Sequence, residues 1–262
     1  MDTVIAKSTD RPAAHPVMSR AEWLAARKAL LEREKELTRL GDQVARERRA
    51  LPWVRMEKNV LFDTPDGRRP LADLFDGRHQ LVMQHFMLAP GWEQGCKSCS
   101  YMADHTDATL LHLAARDTAF VAVSRAPLDE IERFKKRMGW RFRWVSSHGT
   151  DFNRDFGVTF TAEERASGEA HYNFGGTPPG EEMPGVSVFY KDDAGEVFHT
   201  YSTWGRGVEV MMHTYRLLDL TPKGRDEATL DFTMAWVRHH DRYEPAPAAP
   251  RAEKAAASCC GR

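Results

Sequence analysis

Two cysteines, Cys96 and Cys99, are the residues whose spacing most directly predicts chemistry. The apolar run 81–87 before them predicts a buried strand, and the pattern over 100–116 predicts a helix. The pair therefore lies at a strand-to-helix junction. Free N–H groups and the positive end of the helix dipole favour an anion there. A thiolate at Cys96 is such an anion, so we expect a lowered pKa and a strong nucleophile at neutral pH.

Helical spacing assigns different roles to the two sulfur atoms. At about 100° per residue, Cys99 shares one side of the helix with an apolar stripe made of Met102, Ala103, Leu110, Leu113 and Ala114. This side should face the sheet and leave Cys96 at the open tip, beside the cation of Lys97. We expect Cys96 to attack a disulfide and Cys99 to resolve the mixed disulfide. Neither step needs a metal or an organic cofactor.

A CxxC pair also supplies half of a zinc site, which would need two more ligands. The nearest histidines, His105 and His112, lie about 160–180° around the helix from Cys96, and the chain has no second CxxC. A different alternative is a binding protein for soft metal or metalloid ions that adds the pair Cys259-Cys260. A redox-inert scaffold is a third. The spacing favours the redox pair.

Composition narrows the class of protein. The chain has 262 residues, of which 42% are hydrophobic and 29% charged, enough to build a core. A net charge of −1 gives no electrostatic reason to expect a nucleic-acid or membrane partner. Four cysteines are too few for a secreted disulfide scaffold, and neither a leader-like apolar stretch nor a membrane-spanning run is present. We expect a cytoplasmic protein, where a CxxC is more often catalytic than structural.

Local composition and apolar spacing divide the chain into three parts. Residues 1–50 should form a tail and an amphipathic helix that begins with a capping box at Ser19 and Glu22. Residues 51–243 should form one domain, and 244–262 a disordered tail that carries the vicinal cysteines. The N-terminal helix has an apolar side, which packs either on its own domain or on a partner subunit as part of a homodimer.

Strands and helices alternate in the central domain. Buried strands are predicted at 119–123 and 140–145, with a helix after Pro127 between them, so the fold class is α/β with parallel strands. The Gly- and Pro-rich insert 161–185 interrupts this alternation and is either a surface loop or a lid. It precedes a β-hairpin and a closing helix at 208–218.

Several stretches together resemble a bacterial family of unknown function that is predicted to contain dithiol–disulfide oxidoreductases of the peroxiredoxin-like branch of the thioredoxin-like fold. The similarity covers roughly residues 20–243. The stretches are Gly95-Cys-Lys-Ser-Cys-Ser100, Val123-Ser-Arg-Ala-Pro127, Lys136-Arg-Met-Gly-Trp140, Asp151-Phe-Asn-Arg-Asp-Phe-Gly157, Ser187-Val-Phe-Tyr190, His199-Thr-Tyr-Ser202 and Asp219-Leu-Thr-Pro-Lys-Gly-Arg-Asp226. The resemblance implies a thioredoxin-like fold with an N-terminal helical extension, and a protein or small-molecule disulfide or thiol as partner.

The chain departs from these relatives at two places. Lys97 stands where the family usually has proline, so the family's redox potential does not carry over. Peroxiredoxins have Thr or Ser three residues before the peroxide-reacting cysteine. In this chain that position is Glu93 for Cys96 and Cys96 for Cys99, so neither cysteine has the required residue. Thiol–disulfide exchange is therefore expected rather than peroxidase activity.

The resemblance also proposes residues for substrate binding. Met183-Pro184 occupies the relative position of the cis-proline of thioredoxin-like proteins, which would offer the Met183 backbone to an extended substrate. A trans bond is the ordinary alternative for a loop proline. Further candidates for substrate binding are Trp92, in the loop before the cysteines, and Lys97 and Ser98, between them. Two arginines, Arg125 and Arg206, could hold an anionic thiol or simply form surface ion pairs.

Overall fold

Eight strands form one mixed sheet in the part of the chain that the computed structural model describes, residues 15–244. Their order across the sheet is β1-β8-β7-β4-β5-β6-β2-β3. The strands are β1 (Val54–Arg55), β2 (Leu61–Thr64), β3 (Gly67–Pro70), β4 (Gln80–His85), β5 (Thr118–Ser124), β6 (Arg143–Ser146), β7 (Gly185–Lys191) and β8 (Val197–Trp204).

Seven α-helices accompany the sheet within residues 15–244. They are α1 (Arg20–Arg49), α2 (Lys97–Asp107), α3 (Leu110–Ala114), α4 (Leu128–Met138), α5 (Phe152–Asp155), α6 (Ala162–Ser167) and α7 (His213–Leu218). Short 3₁₀ helices cover Leu71–Phe75, Gly205–Met211 and His240–Arg242.

The four central strands have the topology of a thioredoxin-like fold, which confirms the predicted fold class. β4 and β5 are parallel and are joined through α2 and α3, while β7 is antiparallel to β4, and β8 to β7. A further α4–β6 unit follows β5 and continues the parallel pairing. The hairpin β2–β3 extends the edge through one antiparallel pair with β6.

Alternation along β4 divides the interior into two layers, because successive side chains of a strand point to opposite faces. Gln84 points towards α2. The face that α2 and α4 cover, called here the cysteine face, is packed with buried aromatic residues such as Phe134 and Trp144. Met83 and His85 point the other way. This second face, called here the histidine face, packs against α5 and the 3₁₀ turn at Leu71–Phe75.

The N-terminal helix α1 begins as predicted. The Ser19 hydroxyl accepts from the Glu22 N–H, and the Glu22 carboxylate accepts from the Ser19 N–H at 2.9 Å. The helix continues through Gly41 for 30 residues, and none of them is buried. Its apolar side chains, among them Leu37 and Leu40, are exposed in the monomer. The apolar side of α1 is therefore not covered by its own domain, although Arg48 near the end of the helix lies 4.8 Å from the Tyr201 ring centroid. Homodimer formation through α1 stays a prediction.

Two predicted helices differ in the structure. The helix predicted over 100–116 is divided at Ala108 and Thr109, where the Thr109 N–H and hydroxyl both donate to the Thr106 carbonyl and close a tight turn. The closing helix begins as a 3₁₀ turn because Gly205, with φ of +52°, and Gly207 lie at its start. Among residues 15–244 no helix is both long and apolar enough to cross a membrane. The three-part division of the chain stays a prediction.

Candidate active site

The chain leaving β4 is held on both sides before it reaches the cysteines. The Phe86 N–H donates to the Val123 carbonyl at 2.9 Å, and the Phe86 carbonyl accepts from the Ser124 hydroxyl at 2.6 Å. The Ala126 N–H donates to Leu88 at 2.9 Å. These bonds extend the parallel pairing beyond the strand, so the backbone beside the cysteines is fixed.

The peptide groups of Met87 contact both cysteines. The Met87 carbonyl accepts from the Cys96 N–H at 3.0 Å, and the Met87 N–H donates to Cys99 Sγ at 3.5 Å. Cys96 is the residue immediately before α2, and its carbonyl accepts from both the N–H and the hydroxyl of Ser100 at 2.9 Å. The two sulfur positions are therefore set by one strand end and one helix start.

Gly95 is required by packing. A Cβ atom at this position would lie 2.5 Å from Phe86 Cε1 and 2.8 Å from Phe134 Cε1. The backbone before Cys96 thus lies directly on two core rings. The Gly95 carbonyl oxygen is hydrogen-bonded to the buried imidazole of His239, whose Nε2 lies 2.9 Å away. A segment 144 residues later in the chain therefore holds the loop in place.

The two thiols differ in exposure and in acidity. Cys96 is half-buried and Cys99 is fully buried, as helical spacing predicts. Hydrogen bonding from the Cys99 thiol lowers the pKa of Cys96 to about 6, against the opposing effect of burial. The N–H groups of Cys99 and Ser98 and the Ser98 hydroxyl lower it further. A free-thiol pair of this kind has one sulfur largely ionised at neutral pH.

Cys99 shows the opposite shift. Its hydrogen bond to Cys96 raises the pKa of Cys99 well above the ordinary value, and burial and the negative charge of a Cys96 thiolate act in the same direction. Cys99 therefore stays protonated, and its S–H donates a hydrogen bond to the Cys96 sulfur. Gln84 holds the same turn from the sheet, since its Nε2 donates to the Cys99 carbonyl at 3.1 Å.

The residues predicted around the cysteine pair differ in whether they contribute to the environment of Cys96. Ser98 contributes to the Cys96 environment, whereas Lys97 and Trp92 are exposed, with 41% of Trp92 accessible. His105 bonds to Thr214 and the Tyr101 carbonyl, and does not join the cysteines. Within residues 15–244, no group of three or more His, Cys, Asp or Glu side chains could hold a metal ion. Cys259 and Cys260 lie outside the described residues.

The Met183–Pro184 peptide bond is trans, so of the two geometries left open by the sequence the structure has the ordinary one and not the cis-proline of thioredoxin-like proteins. The Met183 N–H is also already used, because it donates to the Val158 carbonyl at 2.9 Å. The Pro184 carbonyl accepts from the Tyr172 hydroxyl at 2.6 Å. These contacts hold the segment against the insert and take the Met183 N–H out of use for pairing with an extended substrate.

Both arginines proposed for anion binding are paired with carboxylates. Arg206 pairs with Glu209 on the surface. Arg125 donates through Nε to the Glu182 carboxylate at 2.6 Å, and Glu182 is buried and also accepts from Thr159. Burial raises the pKa of Glu182, and its negative charge is among the smaller causes that raise the pKa of Cys99. No sequence pattern marks Glu182 or His239, since both act through partners distant in the chain.

Solved structures similar to this chain include peroxiredoxins. The peroxidoxin BcpB from Mycobacterium tuberculosis is 16% identical, with a TM-score of 0.40, and the match covers 63% of this chain and 97% of that chain. The PrxQ protein from Xylella fastidiosa is 11% identical, with a TM-score of 0.41 and coverage of 63% and 94%. A yeast mitochondrial 1-Cys peroxiredoxin is 14% identical, with a TM-score of 0.39 and coverage of 64% and 78%.

Comparison with curated proteins gives no match. A model of a protein family, in contrast, matches residues 12–243, which include α1, the whole sheet and the cysteine pair. The chain belongs to DUF899, a family of bacterial proteins of unknown function.

Proposed function

We propose that the chain is a thiol–disulfide oxidoreductase in which Cys96 is the nucleophile and Cys99 the resolving thiol. One observation carries the proposal: two free thiols at a helix start have opposite pKa shifts, with the acidic one half-exposed and the other buried. A merely structural pair would need neither the acidity nor the asymmetry.

The exchange proceeds in two steps. The Cys96 thiolate attacks one sulfur of a substrate disulfide, forming a mixed disulfide and breaking the substrate S–S bond, and the second substrate sulfur leaves as a thiolate that takes a proton from solvent. Cys99 then loses its proton and attacks Cys96 Sγ, which forms the Cys96–Cys99 disulfide and releases the first substrate sulfur. The substrate gains two electrons and the protein loses two, which an external dithiol must restore.

The hydrogen-bond donors around Cys96 and the burial of Cys99 support the two steps of this exchange. Donors around Cys96 stabilise the thiolate before attack, and they lose that role once the sulfur is covalently bonded. Formation of the mixed disulfide also removes the negative charge of Cys96 that raises the pKa of Cys99. The resolving thiol therefore becomes more acidic at the stage when it must react. The rigid Met87 contacts keep it beside its target.

The test is reduction of insulin by dithiothreitol, followed by turbidity, with the full chain as catalyst. We expect acceleration by the wild type and loss of that acceleration to background with Cys96→Ser. Cys99→Ser should accumulate a mixed disulfide at Cys96, detected by mass spectrometry of the intact protein. Leu111→Ser, on an exposed residue of α3, is the matched control and should retain activity.

Two results would contradict the proposal. One is acceleration that survives Cys96→Ser. The other is a wild-type protein that neither accelerates reduction nor forms a mixed disulfide. Stoichiometric loss of free thiols on adding zinc or arsenite, with no turnover of the disulfide, would instead support the metal-binding alternative.

A further inference from the structure

A cavity of about 820 Å³ lies on the histidine face, on the other side of the sheet from α2. Strand register establishes the side. Gly185 pairs with both His85 and Trp204, and Ser187 pairs with Ser202, so the side chains of Trp204 and Ser202 share the face of His85. The volume falls within the range of small-molecule sites. None of the exchange chemistry at Cys96 uses this space.

The walls of the cavity are mainly aromatic. Phe152 of α5 and Phe156 directly after this helix form one side, and Trp204 at the end of β8 forms another. A Cβ atom at Gly185 would lie 2.8 Å from Trp204 Cδ1, so the glycine allows the indole to lie across the sheet. Flat hydrophobic walls favour a flat apolar occupant.

Charge at the rim is largely paired. Lys58 Nζ lies 2.6 Å from an Asp155 carboxylate oxygen, and Arg55 forms an ion pair with Glu196. The two cations of the lining are therefore not free to hold an anionic ligand. Glu57, the acidic residue of the lining that has no ion pair among the described residues, is exposed and so solvated by water. An uncharged molecule therefore fits this lining better than a carboxylate or a phosphate.

Polar contact is provided by a hydrogen-bonded chain that begins in the wall and ends in the core. His199 Nε2 lies 2.7 Å from Ser202 Oγ, which lies 2.8 Å from Ser187 Oγ, which in turn lies 2.8 Å from His85 Nε2. His199 and Ser202 line the cavity. His85 is 1% exposed, and its Nδ1 has no hydrogen-bond partner among the described residues.

The unpartnered Nδ1 of His85 determines which group donates and which accepts in each of these hydrogen bonds. A buried N–H without an acceptor is rarer than an acceptor without a donor, so Nδ1 carries no proton and Nε2–H donates to Ser187. Ser187 then donates to Ser202, and Ser202 donates to His199. Ser202, which lines the cavity, keeps one lone pair and can therefore accept a hydrogen bond from a ligand hydroxyl or N–H.

The mouth of the cavity carries a strained segment of the insert. Phe174 has φ of +61°, a region that bulky residues seldom adopt, at a cost of about 1–2 kcal/mol, and its neighbour Asn173 has φ of +54°, which asparagine tolerates more easily. Phe174 is 90% exposed, and its ring stands edge-on to Trp204 with centroids 5.1 Å apart. An aromatic ring is thus held in solvent at the entrance, where an occupant would cover it.

We propose that this cavity binds a planar, uncharged aromatic molecule that donates a hydrogen bond to Ser202 and stacks beneath Phe174. The proposal is independent of the exchange chemistry at Cys96, because the two sites lie on opposite faces of the sheet.

Binding is tested by calorimetric titration of the reduced full chain with 2-naphthol and, as a matched probe without a donor, 2-methoxynaphthalene. We expect 2-naphthol to bind more tightly. Ser202→Ala should weaken 2-naphthol binding about tenfold, the worth of one hydrogen bond, and leave 2-methoxynaphthalene unchanged. Thr203→Val, on the same strand but the cysteine face, is the control and should change neither affinity.

A second variant keeps the test decisive if Ser202→Ala does not fold. Phe174 makes little contact with the core, so Phe174→Ala should fold and should weaken both probes about fivefold through lost ring contact. Failure of the wild type to bind either probe would overturn the proposal. So would equal effects of Ser202→Ala and Thr203→Val, or unchanged binding by Phe174→Ala.

Discussion

Each face of the sheet carries one titratable side chain with a lowered pKa. The lowered pKa favours the charged form of Cys96 on one face and the neutral form of His85 on the other. On the cysteine face, donors from Cys99 and Ser98 outweigh burial and lower the pKa of Cys96 to about 6. On the histidine face, burial dominates and lowers the pKa of His85 to about 3, with a smaller contribution from His199. At neutral pH the sulfur is therefore charged and the imidazole neutral.

The difference shows that burial alone does not decide ionisation. Cys96 lies where a helix begins, so its surroundings supply several donors to an anion. His85 lies in the middle of a sheet, where a Ser187 hydroxyl is its partner at one nitrogen and the other nitrogen has none among the described residues. The packing density of the two regions also differs. A Cβ atom at Gly95 would contact core rings, whereas a Cβ atom at Gly176, in the insert beside the cavity, would have no atom within 4 Å.

The largest expected effect tests this difference in packing. Gly95→Ala places a methyl group against Phe86 and Phe134 and should lower the free energy of unfolding by about 3 kcal/mol. Gly176→Ala, in the insert with no atom within 4 Å of its Cβ, should change it by less than about 0.5 kcal/mol. Urea denaturation at pH 7.5 measures both. Equal losses would show that the two regions are packed alike.

The next effect concerns the pH dependence that Cys96 contributes to stability. The folded pKa of about 6 is below the unfolded value near 9, so the unfolded state binds more protons between these pH values. Stability should rise with pH through this window and be lost as pH falls through 6. The reduced wild type should gain about 2 kcal/mol over Cys96→Ser between pH 6 and 8. A parallel pH dependence of the two proteins would contradict the assigned pKa.

Removing the strongest donor should weaken the thiolate. In Cys99→Ala the pH midpoint of iodoacetamide alkylation at Cys96 should move from about 6 towards the ordinary cysteine value. The rate at pH 6.5 should fall about tenfold. Mass spectrometry of quenched samples measures the rate. An unchanged midpoint would mean that the helix start alone stabilises the anion.

The histidine face should respond in a lower pH window. Since the folded pKa of His85 is about 3, the unfolded imidazole takes a proton below about 6.5 and the folded one does not. This costs stability as pH falls, about 1 kcal/mol between pH 7 and 5.5. His85→Leu should reduce the loss between these two pH values by that amount, measured by urea denaturation and compared within each variant. Leu111→Ser should leave the loss unchanged.

The smallest effect is expected at Ser98, whose hydroxyl is the weakest of the causes that lower the pKa of Cys96. Ser98→Ala keeps the backbone donors and should slow alkylation at pH 6.5 about threefold or less. A decrease as large as that of Cys99→Ala would reverse the assigned order of donors.

Sequence reasoning predicts the parts of the molecule that depend on neighbours in the chain. The capping box at Ser19, the strands β4 and β5 and the inward position of Cys99 follow from local patterns, and the structure agrees with them. Alternation of strands and helices also predicts the parallel pairing of β4, β5 and β6, whereas the thioredoxin-like fold is implied by the resemblance to the family.

The remaining features depend on contacts that no local pattern encodes. The support of Gly95 by His239 and the pairing of Arg125 with Glu182 each join segments far apart in sequence. The Met183–Pro184 segment also makes its hydrogen bonds to distant residues, since the Met183 N–H donates to the Val158 carbonyl and the Pro184 carbonyl accepts from Tyr172. The cavity too arises only where α5, β8 and the insert come together.

The contacts of Met87 have a consequence for mutagenesis at this position. Both cysteines are hydrogen-bonded to its peptide groups and not to its side chain. A substitution that changes only the side chain keeps both hydrogen bonds available, so side-chain mutagenesis alone would overlook the role of the backbone. Only a change that withdraws an amide hydrogen, as proline does, would expose it.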